Sequence, residues 1–448
     1  VALIHRLLKW VLFCSFGAAS HVINILSMKE EEQQMNKETS EKKLIYLDGI
    51  RGLAACTVVI SHYIQVFYPA ALNGRPQQAH FKWDIWYGHS PINLFYNGQF
   101  AVCLFFVLSG YVLSVKIFEK ELDSETFQKL LHSSAIRRYI RLAMPAAVSV
   151  LLVYLAIITN AFHLQEIWGT TWTDMKKNYY ALDTNLYTVI KAAIFDPFFR
   201  FEAHPYNPVL WTMGYELLGS FLIFGFLALF GRVKKRWIVY VVLSITLIQT
   251  YFVAFLWGML LADLLKHKWI QSKITAVLVL LMGIYLGSAP YTSLMGTMYE
   301  PIEVWTKIIN QWIQFNIDPR LLARTLGSAM ILFALLRLKV LQQVFGWKPF
   351  AYLGQISFSL YLIHFTFLNT FSAFLFSKVI HHFTYNLAYA ITFMVSMVPL
   401  FILSHYYMKY IDQGALKLAR KVESMLEHEK ASTTQIYAQL REERRREL

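Results

Sequence analysis

Apolar residues in this chain fall in blocks of roughly the 17–25 residues that a membrane-spanning helix requires, separated by short polar pieces that hold most of the charge. This pattern predicts an all-α fold, a polytopic transmembrane helical bundle, rather than one soluble core. The blocks place about ten spans, at 44–68, 92–116, 142–163, 208–230, 237–249, 250–265, 272–289, 321–337, 350–376 and 385–411.

Assigning the loops alternately to two sides sorts the cations. One side collects Lys42 and Lys43, then Lys116, Lys120, Lys129, Arg137, Arg138 and Arg141. Arg232, Lys234, Lys235 and Arg236 follow, then Lys266, Lys268 and Lys273, then Arg337, Lys339 and Lys348. The positive-inside rule makes that side cytoplasmic, so both ends of the membrane domain are expected there. The fifth and sixth spans read as one apolar run, but Arg232–Arg236 and Lys266–Lys268 must share a side, which requires an even number of crossings. Two are expected. The longer loops at about 69–91, 164–207 and 290–320 face the other side and are rich in Trp, Tyr, Pro and Asn. They are suited to roofing a cavity, meeting an acceptor or packing at the membrane interface.

Three regions follow from this. Residues 1–43 form an N-terminal segment in which 1–27 resembles a signal-like apolar stretch and 28–43 is charged. We read Met28 as the true start. Residues 44–411 form the membrane domain, and 412–448 a charged, helix-prone cytoplasmic tail with Leu418, Val422, Met425 and Leu426 at helical spacing. The chain shows no internal repeat, which weakens transporter architectures built on inverted repeats.

Composition agrees with a membrane solvent. Hydrophobic residues are 56% of the 448, against a globular norm of about 45–50%, and the mean hydropathy is +0.41. The formal charge of +14 lies in short loops and the tail rather than in one patch, so nucleic acid is not an expected partner. Cys14, Cys56 and Cys103 each sit in an apolar stretch without CxxC or Cys/His spacing. They support neither a disulfide framework nor a metal site, and read as small packing residues.

Candidate chemistry begins in the first secure span, "YLDGIRGLAACTVVISHY". Arg51 and His62 are eleven residues apart, three turns plus roughly 20°, so both leave one helix face, separated by about 16 Å along the axis. Asp48 lies one turn before Arg51. Ionisable groups inside a bilayer are costly unless they line a cavity or find partners. Arg51 could pair with Asp48 and His62 could be a hydrogen-bonded bundle residue. Together, however, they suit catalysis: an imidazole can take a proton from a hydroxyl attacking a thioester, and a guanidinium fits the phosphates of an acyl-CoA.

Five ordered segments resemble the acyltransferase 3 family of membrane O-acyltransferases. Leu47–His62 is similar to its "LDGxRGxAA…H" opening with an Arg-x10-His signature, and "FFVLSGYVLS" at 105–114 to its "FFVLSGFV" helix. "RRYIRLAMP" at 137–145 resembles "RRxxRLxPP", with Ala143 and Met144 as departures. "LWTMGYELLG" at 210–219 resembles "LWSLSxE", keeping Trp211 and Glu216, and "GQISFSLYLIHF" at 354–365 resembles "SYSxYLIH". The resemblance runs from residue 44 to about 411. It implies a ten-helix bundle that moves an acyl group, commonly acetyl, from acyl-CoA to a hydroxyl of a carbohydrate, lipid-linked or small-molecule acceptor. It implies essential roles for Arg51 and His62 and no cofactor beyond the donor substrate.

Glu216, inside an apolar span, needs a cation or hydrogen-bond partner and is read as catalytic support or structural glue. Arg137, Arg138 and Arg141 are either membrane anchors or a second phosphate contact. Ser109 and Tyr111 are candidate substrate contacts or packing residues around Gly110; Trp211 and His364 are further candidate substrate contacts. Arg324 and His405 are read as structural. The alternative function is a transporter or flippase whose pathway uses Asp48, Arg51, His62 and Glu216.

Overall fold

The computed structural model describes residues 45–426 apart from 120–123, 176–177, 203, 267–271 and 315. The readings made for 1–43 and for 427–448 lie outside the described residues. Among the described residues every regular element is helical. The principal helices are α1 (Ile45–Phe67), α2 (Gly98–Glu119), α3 (Ser124–Ile158), α4 (Leu186–Ile194), α5 (Trp211–Phe230) and α6 (Trp237–Leu247). They continue with α7 (Phe252–Lys266), α8 (Lys273–Gly287), α9 (Glu300–Ile313), α10 (Pro319–Arg337), α11 (Lys348–Phe367) and α12 (Tyr385–Tyr407).

Starts are written locally: Ser272 accepts from the Thr275 N–H at the head of α8, and Asp318 from the Arg320 N–H ahead of Pro319 in α10. Among the described residues, seven helical segments are long and apolar enough to cross a membrane: Ile45–Phe67, Gly98–Phe118, Thr126–Ile158, Pro208–Phe230, Pro319–Arg337, Lys348–Val379 and Tyr385–Leu426. The other three expected spans, α6, α7 and α8, are apolar but have only 11, 15 and 15 residues, about 16–22 Å of helix against a core of about 30 Å. Among the described residues, seven of the ten expected spans are thus helices of spanning length, and the other three are shorter apolar helices.

The short pair α6 and α7 is an antiparallel hairpin. The guanidinium of Arg236, at the head of α6, pairs with the carboxylate of Asp263, near the end of α7, while Trp257 Nε1 donates to Ser244 Oγ at 3.2 Å. The chain thus returns to its starting end, as the loop charges require. Helix α7 packs on α2 through glycines: a Cβ at Gly110 would lie 2.0 Å from the Phe255 carbonyl oxygen, and one at Gly258 2.0 Å from that of Val107.

Two boundaries differ from expectation. Helix α3 has 35 residues, beginning 18 residues before the expected span, because a charged segment lowers hydropathy without stopping a helix. Arg137, Arg138 and Arg141 are therefore helical residues, not loop residues. At the other terminus, helix continues past Asp412 to Leu426. Its packed face carries Ala415 and Ala419, both buried, whereas Leu418, Met425 and Leu426 are exposed.

At one end of the bundle Arg232 stacks on Phe127 and Arg236 on Phe118. At the other end the long loops meet. His80 stacks between Trp172 and Tyr385, with ring centroids at 4.3 and 4.0 Å, Thr173 Oγ1 donates to the Gln65 carbonyl, and His89 lies 3.4 Å from Thr292. Part of the second loop departs from this roof. Helix α4 runs back along α3, so that Tyr139 Oη donates to the Ile194 carbonyl at 3.0 Å, and it exposes Tyr187, Ile190 and Ile194.

Candidate active site

Helix α1 carries the Arg51 to His62 signature without interruption, so the eleven-residue spacing places the two about 16 Å apart along one helix, as expected. Its close approach to α11 is set by glycines. A Cβ at Gly52 would lie 2.4 Å from the Gly354 nitrogen, and one at Gly354 2.2 Å from the Asp48 carbonyl oxygen. Ten residues further along each helix, His62 Nδ1 and His364 Nε2 are 2.9 Å apart. Helices α1 and α11 are therefore parallel and in register from glycine contact to histidine contact. His62 is partly buried and His364 is fully buried.

Each imidazole is also held by its own helix: His62 Nδ1 lies 3.1 Å from the Val58 carbonyl and His364 Nδ1 3.0 Å from that of Leu360. Phe365 stands edge-on to the His62 ring at 5.2 Å. Tyr361, one turn before His364, donates to the Val209 carbonyl at 2.8 Å and lies 2.9 Å from Thr212 Oγ1. Buried Asn207 donates to the Leu362 carbonyl at 2.9 Å and to Ser149 at 3.1 Å. These contacts fix α11 against the head of α5 and the middle of α3.

A second cluster forms around Glu216. Arg138 Nη2 lies 2.6 Å from Glu216 Oε2, and Ser109 Oγ donates to both carboxylate oxygens at 3.0 and 3.2 Å. Three helices, α2, α3 and α5, are thus joined by one carboxylate. Arg141, one turn after Arg138, acts as a like charge on both Arg138 and Arg51 and is answered by Asp412; Arg51 in turn feels Glu216. Arg51 also pairs with Asp48, at a long 3.5 Å, with 28% of its side chain exposed against 12% for Arg138. Arg138 is thus the more enclosed and more tightly paired of the two, and Arg51 the more exposed.

Not every expected residue joins this cluster. Arg137 turns the other way to meet Glu423 at 3.2 Å, since adjacent helical positions differ by about 100°. Tyr111 is buried beside α7 near Gly258. Trp211 packs with Tyr215 and Tyr251. Arg324, 3% exposed, donates to the carbonyls of Ala289 and Pro290 and to Gln99, fastening α10 to the end of α8. His405 meets Tyr352 at 3.2 Å. The pairing of His62 with His364 went unread in the sequence, although Gly52 to His62 and Gly354 to His364 have the same ten-residue spacing.

Apolar helices of spanning length around a core that holds arginine, glutamate and paired histidines define an integral membrane protein with a polar interior site. The chain belongs to the acyltransferase 3 family, whose acyltransferase domain model matches residues 44–405. It is 24% identical to the O-acetyltransferase PaAT-1 of Phomopsis amygdali over 88% of this chain and 86% of that protein. It is also 24% identical to acyltransferase clz18 of Cochliobolus lunatus, over 75% of this chain and 84% of that protein. A third relative, acyltransferase R4 of a Phoma species, is 21% identical over 74% of this chain and 84% of that protein. No solved structure matches the chain. Family membership makes this a membrane enzyme that transfers acyl groups, and decides against the transporter or flippase alternative.

Proposed function

We propose that the protein transfers an acyl group, with acetyl the leading candidate, from acyl-CoA to a hydroxyl of a carbohydrate, lipid-linked or small-molecule acceptor. The observation that carries this reading is the placement of a partly exposed guanidinium, Arg51, three helical turns from a partly buried imidazole, His62, on one helix. The name of the O-acetyltransferase relative supports acetyl as the group moved.

In this reading Arg51 binds donor phosphate by charge-assisted hydrogen bonds, with Arg138 and Arg141 supplying field from behind. Glu216 holds Arg138 in place and prevents the three guanidinium groups from repelling one another apart. His62 acts as general base. It takes the proton of the acceptor hydroxyl as that oxygen attacks the thioester carbonyl; the C–S bond then breaks, and the CoA thiolate recovers the proton from the imidazolium. An ester and free CoA thiol result. The basic end of the bundle is cytoplasmic by the positive-inside rule, placing the donor there, with the aromatic loops on the acceptor side.

Purified protein given acyl-labelled acyl-CoA and a panel of hydroxyl acceptors is expected to label at least one acceptor without an ion gradient. Transfer that occurs only from a non-CoA donor would remove the role assigned to Arg51.

A further inference from the structure

The geometry points to His364 as the positioning residue for His62: it holds the proton of His62 on Nδ1, leaves Nε2 as the basic atom, and shares the positive charge that forms during transfer. This rests on His62 being the general base and extends it to a second imidazole.

Donors and acceptors fix where the protons of the pair sit. The Leu360 carbonyl, 3.0 Å from His364 Nδ1, can only accept, so His364 Nδ1 carries hydrogen. His364 is fully buried within an apolar helix, where a second proton would be costly, so its Nε2 holds a lone pair. His62 Nδ1 faces that lone pair at 2.9 Å and the Val58 carbonyl at 3.1 Å. Both are acceptors. His62 Nδ1 must therefore be the N–H, and His62 Nε2 the free base.

A single helix carbonyl could select this tautomer weakly. The second imidazole adds what Val58 cannot: an acceptor from another helix, held by the glycine contact ten residues away. When His62 takes the substrate proton at Nε2, its Nδ1–H becomes a charge-assisted donor to His364 Nε2, and the bond strengthens as charge develops. The orienting partner is thus a neutral base in an apolar interior, a place where a carboxylate would need further partners of its own. No proton need leave His364.

The test compares His364→Ala and His364→Gln, purified in detergent, with wild type and His62→Ala, measuring kcat and KM for acyl-CoA. Glutamine keeps a hydrogen-bond acceptor at the distance of the imidazole Nε2, and alanine does not. We expect His364→Ala to lose at least about 100-fold in kcat with KM for acyl-CoA within threefold of wild type, and His364→Gln to recover at least tenfold of that loss. A His364→Ala enzyme within threefold of wild-type kcat, or a folded His364→Gln enzyme no faster than His364→Ala, would overturn the assignment. If His62→Ala itself turned over normally, the general-base reading would fall first, and this inference with it. An inactive His62→Ala beside a fully active His364→Ala would leave that reading intact and remove only the role of His364.

Discussion

Arg138 and Glu216 meet at 2.6 Å where α3 passes α5, and both side chains are nearly enclosed, at 12% and 14% exposure. Breaking such a pair from one side leaves a charge without its partner, at a cost of about 3–5 kcal/mol. Glu216→Ala is therefore expected to lower the midpoint of thermal unfolding in detergent, and Arg138→Leu combined with Glu216→Leu to recover much of the loss. A double variant as unstable as the sum of its singles would show that the two residues do not act as a pair.

Arg51 should act mainly through the donor. A charge-assisted hydrogen bond contributes about 1.5–3 kcal/mol, so Arg51→Ala is expected to raise KM for acyl-CoA by about 10-fold to 150-fold. Arg51→Lys should recover only part, because an ammonium cannot reproduce the planar fork. An unchanged KM in Arg51→Ala would place the donor phosphates elsewhere.

The glycine contact between α1 and α11 should be as sensitive as the histidines it aligns. Because a Cβ at Gly354 would lie 2.2 Å from the Asp48 carbonyl oxygen, Gly354→Val must push the helices apart. Membrane insertion should persist while turnover falls by at least about tenfold, since misplacing reacting groups by about 1 Å can cost 100-fold. Full activity in Gly354→Val would mean that this contact does not set the histidine geometry.

In the long loops, burial holds the His80 imidazole below the ordinary histidine range, and pushes the Asp84 carboxyl up. The packed loop thus resists protonating His80 while the detached loop does not. Stability from this residue is present above the ordinary histidine range and is lost as pH falls through it toward the lower folded value. Asp84 contributes with the opposite sign, so the readout is a difference between variants. Once the intrinsic slowing of amide exchange with falling pH is divided out, protection of the amides of residues 80–81 and 171–174 should drop on acidification more in wild type than in His80→Phe. An equal drop in both would contradict the prediction.

Much of the fold was legible because the bilayer imposes a simple code. Apolar block length located every long helix, and loop cations required the return made by α6 and α7, which Arg236 and Asp263 now join. The code misplaced the start of α3, because a segment rich in Arg and Lys can be fully helical without being apolar. Within the site, helical periodicity was enough to align Asp48, Arg51 and His62, three residues of one helix. It could not reveal Arg138 with Glu216 or His62 with His364, since a single sequence does not say which helices are neighbours. Only the matched spacing from Gly52 and Gly354 to the two histidines hinted at that pairing.

The proposed chemistry depends most directly on the imidazole of His62. Acceptor-dependent release of CoA thiol by purified wild-type and His62→Ala protein, at saturating acyl-CoA and with unfolding midpoints compared, measures its contribution. A folded His62→Ala protein with turnover reduced by about 100-fold to 10,000-fold is expected, the range for losing a general base. Wild-type turnover in that variant would contradict it.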